Sequence, residues 1–288
     1  MSVIVAAADP GVWQRIFDFS DYGSLLRLVQ NSLIAGAVLG IVGGLISSFV
    51  MMRDLPFAVH GISELSFAGA AAALLVGVNV VVGSIGGSLV AALVIGALGV
   101  RARDRNSSIG VLMPFGLGLG VLFLSLYEGR SANKFGLLVG QIVAVDAPHL
   151  AWLLGTCTVV LAGLALIWRP LSYASTDPEG ALAAGVPVGA LSAVFMVLLG
   201  LAVAMSVQIV GALLVLSIIC TPAAAAMRVT SSPRLVPVLS MVFGFVAMLG
   251  GILLALGGTV PISPYVTTIS FAIYAACRLI GRRRPLTR

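Results

Sequence analysis

The sequence predicts an all-α, polytopic membrane protein with about nine transmembrane helices (eight to nine), folded as one domain over residues 1–288. Three observations predict it. Sixty per cent of the residues are apolar and only 9% are charged, where soluble proteins carry about 25% charged residues, and the mean hydropathy is +1.15. The apolar residues gather in runs of 17 to 25, long enough to cross ~30 Å of hydrocarbon as helices. The arginines lie almost entirely between or beyond those runs.

In chain order, residues 1–9 lack a basic stretch, so no cleaved signal peptide is expected. Residues 12–28 mix aromatics with charges and suit an interfacial segment. Apolar runs follow at about 30–52, 56–78, 80–100, 107–127, 148–168, 188–207, 211–227, 235–257 and 264–280. The break at Ser206-Val-Gln208 is the weakest boundary, and merging there leaves eight spans. Between the fourth and fifth runs, residues 131–147 are too short to span and suit a short extracytoplasmic helix.

Nine crossings with a cytoplasmic C-terminus place Arg53, Arg101, Arg103, Arg105, Arg169, Arg228, Arg234, Arg278, Arg282, Arg283, Arg284 and Arg288 inside. Arg15, Arg27, Arg130 and Lys134 remain outside, and the asymmetry obeys the positive-inside rule. The net charge of +6 is therefore read as topology, with membrane lipid and not nucleic acid as the partner. Glycines at small-xxx-small spacing, Gly36, Gly40 and Gly44 above all, suit close helix packing in lipid. Cys157, Cys220 and Cys277 lack metal-ligand spacing and read as buried small hydrophobes.

The stretch from Pro56 to Gly69 stands apart. His60 and Glu64 are the only His and Glu in the interior of any long apolar run, His149 standing at the start of another. A helix stacks residues four apart on one face, about 6 Å apart along the axis. Ionisable groups are costly in hydrocarbon, so the pair is a candidate ion site. A self-contained His–Glu pair that orients the helix accounts for it equally well from residues alone. Imidazole with carboxylate suits Zn²⁺, Mn²⁺ or Fe²⁺, and two copies of the chain would offer four ligands. Ser63, Ser66, Gln208 and Thr221 are candidate pathway-lining residues, or satisfied hydrogen-bonding groups. Arg53-Asp54 reads as a helix-end pair ahead of a gate, and Asp146 with His149 as an N-cap beside an interfacial His. Met51 and Met52 have no other soft ligand beside them.

The loop over 171–187 carries the punctuation of a short helix. Asp177 suits an N-cap, Pro178 the first helical position, Glu179 the positive end of the dipole and Gly185 the stop. Such a helix is either a docking knob or an ordinary capped loop.

Four stretches then carry a resemblance that covers nearly the whole chain. They are Phe49 to Gly69; Trp168-Arg-Pro170 with Asp177-Pro-Glu179 and Ala184-Gly-Val-Pro187; Gln208 to Val215 continuing to Pro222–Ala226; and the last two spans with their basic tail. Together they resemble the permease subunits of zinc, manganese and iron ABC importers. In that family the second helix usually reads Gly-Asp-x-x-Ser-His. Aligned on Ser63 and Gly69, His60 stands at the Asp position and Glu64 at the His position, so the ligand order is reversed.

The resemblance implies a bacterial plasma-membrane permease that moves Zn, Mn or Fe from an extracytoplasmic solute-binding protein to the cytoplasm. A separate cytoplasmic ATPase dimer would drive it, and a second permease copy would complete the pathway. It implies metal contacts from His60 and Glu64, and a coupling helix made by Asp177, Pro178, Glu179, Ala181, Leu182 and Gly185. The divalent cation is cargo, and no permanently bound cofactor is expected. The chain has no nucleotide-binding loop and no HExxH, so it is not expected to be an enzyme. The alternative is an ion-coupled secondary transporter or channel for cations, which the carboxylate of Glu64 permits.

Overall fold

A computed structural model describes residues 23, 26, 28–98, 102–129, 136–137, 145–256 and 262–282. Nearly all of the interfacial segment expected over 12–28, and most of the extracytoplasmic helix expected over 131–147, lie outside the described residues.

The described residues are helical, with no strand among them. The helices are α1 (Gln30–Met52), α2 (Pro56–Val76), α3 (Val80–Leu98), α4 (Ala102–Leu126), α5 (Ala147–Thr176), α6 (Pro178–Ala183), α7 (Val188–Val210), α8 (Val215–Ile219), α9 (Thr221–Val229), α10 (Leu235–Ala255) and α11 (Ile262–Arg282). Seven of them, α1 to α5, α7 and α10, are long and apolar enough to cross a membrane. α11 has 21 residues and is amphipathic, ending in arginines. The chain is a multi-pass membrane protein.

Close approach between backbones sets the packing. α1 lies against α10 along a seam of Gly40, Gly44, Gly244 and Ser240. A Cβ on Gly40 would sit 2.6 Å from the carbonyl oxygen of Gly244, so only glycine fits there. Dispersion across such a seam replaces the hydrophobic drive that lipid does not supply. α2 packs on α3, α4 and α7, and its Gly69 meets Gly83 and Gly87 of α3.

Two elements differ from the sequence reading. The run expected to stop near residue 168 continues as helix to Thr176, carrying Pro170 inside it. Asp177 then ends α5 and caps α6, its carboxylate accepting from the Gly180 N–H at 2.9 Å.

The run expected as one span over 211–227 is broken. Gly211 (φ +87°) ends α7, a 3-10 turn covers Ala212–Leu214, and α8 gives way to α9 at Cys220, with Pro222 in the first turn of α9. Interrupted helices survive at membrane depth only where protein groups satisfy the freed backbone. Ser63 of α2 donates to the Ala212 carbonyl at 3.0 Å. Ser47 of α1 donates to the Cys220 carbonyl at 3.2 Å and accepts from the Ala223 N–H at 3.0 Å.

Candidate functional site

α2 begins at a sharp turn. Arg53 and Asp54 leave α1, and Asp54 adopts the left-handed region (φ +53°), which Asp tolerates better than most residues. Leu55 bonds back to the Val50 carbonyl at 2.9 Å, and Pro56 opens the next helix. One turn later His60 and Glu64 share a face, as their spacing requires. His60 Nε2 lies 3.7 Å from Glu64 Oε1, with the His side chain part-exposed and the Glu buried. That distance is beyond a hydrogen bond. His60 Nδ1 and Glu64 Oε2 are buried with no hydrogen-bond partner.

Leaving a buried polar group unpartnered costs about 1–3 kcal/mol, and more for a charged one. The two side chains stand at ion-pair distance through Nε2 and Oε1, while Nδ1 and Oε2 carry that cost. Among the described residues no group of three or more His, Cys, Asp or Glu gathers that could hold a metal. One chain offers two side-chain ligands.

The other candidates serve backbone. The Ser63 hydroxyl is committed to Ala212, and Ser66 lies 2.8 Å from the Ser84 hydroxyl. Ser84 in turn donates to the Ala204 carbonyl at 3.3 Å. Gln208 Nε2 reaches the Val80 carbonyl at 3.5 Å. Thr221 is half-buried and lines, with Pro222, Ala225, Phe243, Ser270 and Ile273, a crevice too narrow to hold a water molecule.

On the outer side as the sequence assigns it, Asp146 caps α5 from the His149 N–H (2.9 Å) and meets His149 Nδ1 at 2.5 Å. These bonds, the backbone N–H first, hold the Asp146 carboxyl below its ordinary value. The three cysteines are free thiols, Cys157 and Cys277 buried and Cys220 half-buried.

At the other end of the bundle, α6 stands out from the surface. Pro178, Glu179 and Ala183 are exposed, as is Leu182 at 61%, while Ala181 is buried beneath them. Gly185 (φ +78°) closes the helix, with Val186 N–H bonded to the Ala181 carbonyl at 2.9 Å.

Sequence reasoning missed the role of Arg53. Its guanidinium donates to the hydroxyls of Ser175 at the end of α5 (3.4 Å) and Ser192 at the start of α7. It also lies over the Phe195 ring, 5.8 Å from the centroid. Phe195 stacks edge-on with Phe49, and Phe49 with Trp168. These partners are more than 120 residues away along the chain, and no local pattern announces them.

The model of the ABC 3 transport family matches residues 26–280. The chain belongs to the ABC 3 transport family. The family match spans every helix of the bundle and includes His60, Glu64 and α6. The chain is 30% identical over 238 residues to the manganese import system permease protein ScaB of Streptococcus parasanguinis, covering 82% of this chain and 85% of that protein. It is 29% identical over 225 residues to the manganese transport system membrane protein MntC of Halalkalibacterium halodurans, covering 78% and 77%. Its fold is similar to that of PsaBC from Streptococcus pneumoniae, solved in complex with Fab: TM-score 0.80, 26% identity, 90% of this chain and 95% of that one. The resemblance to metal-ion ABC importer permeases drawn from the sequence is thus correct, and the chain is a transport permease.

Proposed function

We propose that the chain is the membrane permease of an ABC importer for divalent manganese. It takes the ion from an extracytoplasmic binding protein and releases it in the cytoplasm, where its C-terminus also lies. The observation that carries this reading is the His60–Glu64 pair on a membrane helix, Glu64 buried and His60 part-exposed, with one buried, unpartnered polar atom on each side chain. A carboxylate with an imidazole suits Mn²⁺, and the same ligands admit Zn²⁺ and Fe²⁺. The manganese permeases among the relatives favour manganese as cargo.

Two ligands from one chain make an incomplete shell. A second copy across a two-fold axis would bring four, weak enough together to release the ion. Energy comes from a separate cytoplasmic ATPase dimer, since the chain has no nucleotide-binding loop. That ATPase seats on α6, whose exposed Leu182 and Glu179 face outward on a rigid, doubly capped turn. The region 171–187 is therefore read as the coupling segment of a single permease domain.

The test is uptake of radioactive manganese by the complete transporter in liposomes. The double substitution His60→Ala with Glu64→Gln should abolish uptake while the ATPase stays bound. Undiminished uptake by that variant would overturn the assignment of the pair.

A further inference from the structure

We propose that Arg53 is the positioning residue through which movement of α6 reaches the helix that carries His60 and Glu64. This rests on the reading of α6 as the ATPase seat.

The geometry is specific. Ser175 stands two residues before the cap of α6, and Ser192 stands in the first turns of α7, soon after α6 ends. The two serines therefore bracket α6 on its two sides. Each hydroxyl donates to a carbonyl of its own helix, Ser175 to Leu171 at 2.6 Å and Ser192 to Val188 at 2.8 Å. Each oxygen remains free to accept from Arg53. One planar guanidinium thus ties both flanks of α6 to the turn between α1 and α2. A forked, rigid donor can hold two acceptors at a fixed angle, which an ammonium cannot. Both hydroxyl acceptors are neutral, so these two contacts can be broken and remade without exposing an unpaired anion.

On the far side, Arg53 is followed by Asp54 in its left-handed conformation and by Leu55-Pro56, where α2 starts. His60 lies one turn along. Helix α2 is stiff and apolar, so a displacement at its first turn is carried to the pair. The Phe195, Phe49 and Trp168 stack beneath Arg53 gives it a packed floor on which to pivot.

The experiment uses the complete transporter in liposomes and reads manganese uptake and ATP hydrolysis in the same sample. Arg53→Gln should lower manganese moved per ATP hydrolysed about tenfold, with the ATPase still bound and hydrolysis within twofold of wild type. Arg53→Lys should recover only part of the ratio. Ser192→Ala should lower it less, and should cost nothing further in the Arg53→Gln background. In parallel, hydrogen exchange over residues 53–62 should respond to ATP binding in wild type and not in Arg53→Gln.

A wild-type coupling ratio and exchange response in Arg53→Gln would overturn the proposal. Equal losses of uptake, hydrolysis and ATPase binding would also overturn it, by making Arg53 a folding residue. Failure of the underlying reading shows differently: Leu182→Asp, on the exposed face of α6, would leave the ATPase bound as in wild type.

Discussion

Ser63 and Glu64 sit side by side on α2, and the structure treats them oppositely. The Ser63 hydroxyl closes a hydrogen bond to Ala212, while Glu64 Oε2 has no partner. Their substitutions should therefore move stability in opposite directions. Ser63→Ala removes an interhelical bond and should cost about 1 kcal/mol. Glu64→Met replaces a buried, half-satisfied carboxylate with an apolar chain of similar size and should gain ~1 kcal/mol. Thermal melting in detergent without added metal reads both, and a fall in melting temperature for Glu64→Met would show the carboxylate to be structurally satisfied. Asp146 gives a pH test at the same scale. Its carboxyl is held below its ordinary value in the folded protein, so its contribution is present above that ordinary value. The contribution is lost as pH falls through the lower, folded-state value. Melting of wild type and Asp146→Asn, compared from pH 5 downward, should show wild type losing its advantage below about pH 4. The effect is small, because the site is exposed and screened. His60 and Glu64 were legible as residues because charge is rare in hydrocarbon. Their missing partners were not, since satisfaction depends on what neighbouring helices present.

Among the elements, α6 was readable from local chemistry alone. An Asp-Pro-Glu start and a glycine stop act within one or two turns, so no tertiary information is needed. The broken segment from Gly211 to Val229 was not readable. Its residues are uniformly apolar, and hydropathy cannot separate one span from two short helices joined at an angle. What holds the break is supplied from elsewhere, by Ser47 on α1 and Ser63 on α2, each more than 140 residues away. Ser47 makes two of these bonds with one hydroxyl, donating to Cys220 and accepting from Ala223. Ser47→Ala should therefore destabilise more than Ser63→Ala, by about 1 kcal/mol, because it leaves the Ala223 N–H buried and unpaired while the Cys220 carbonyl keeps the Ala224 N–H. Equal melting temperatures for the two variants would mean that the break satisfies its own backbone. The same dependence on distant partners hid the extension of α5 to Thr176. Trp168-Arg-Pro170 looks like a span end in sequence, yet the helix runs on and meets Arg53 through Ser175.

For the whole molecule, the proposed site makes the assembly a question of ligand number. A lone chain places one imidazole and one carboxylate at the site, and no third His, Cys, Asp or Glu joins them among the described residues. A divalent ion held by two side chains alone keeps most of its hydration shell. Its dehydration would then not be compensated on the way through hydrocarbon. Two chains meeting at this face would supply four ligands and would keep the site symmetric, which suits an ion that must leave as readily as it enters. The two arrangements differ in stoichiometry. If the site is shared, the purified permease should bind one Mn²⁺ per two chains, and His60→Ala should remove that binding. If each chain held its own ion with water completing the shell, the ratio would be one per chain. Titration followed by the electron paramagnetic resonance signal of free Mn²⁺ separates them, because bound and free ion differ in line width. A ratio of one per chain, lost on His60→Ala, would keep the pair as the site and discard the shared shell.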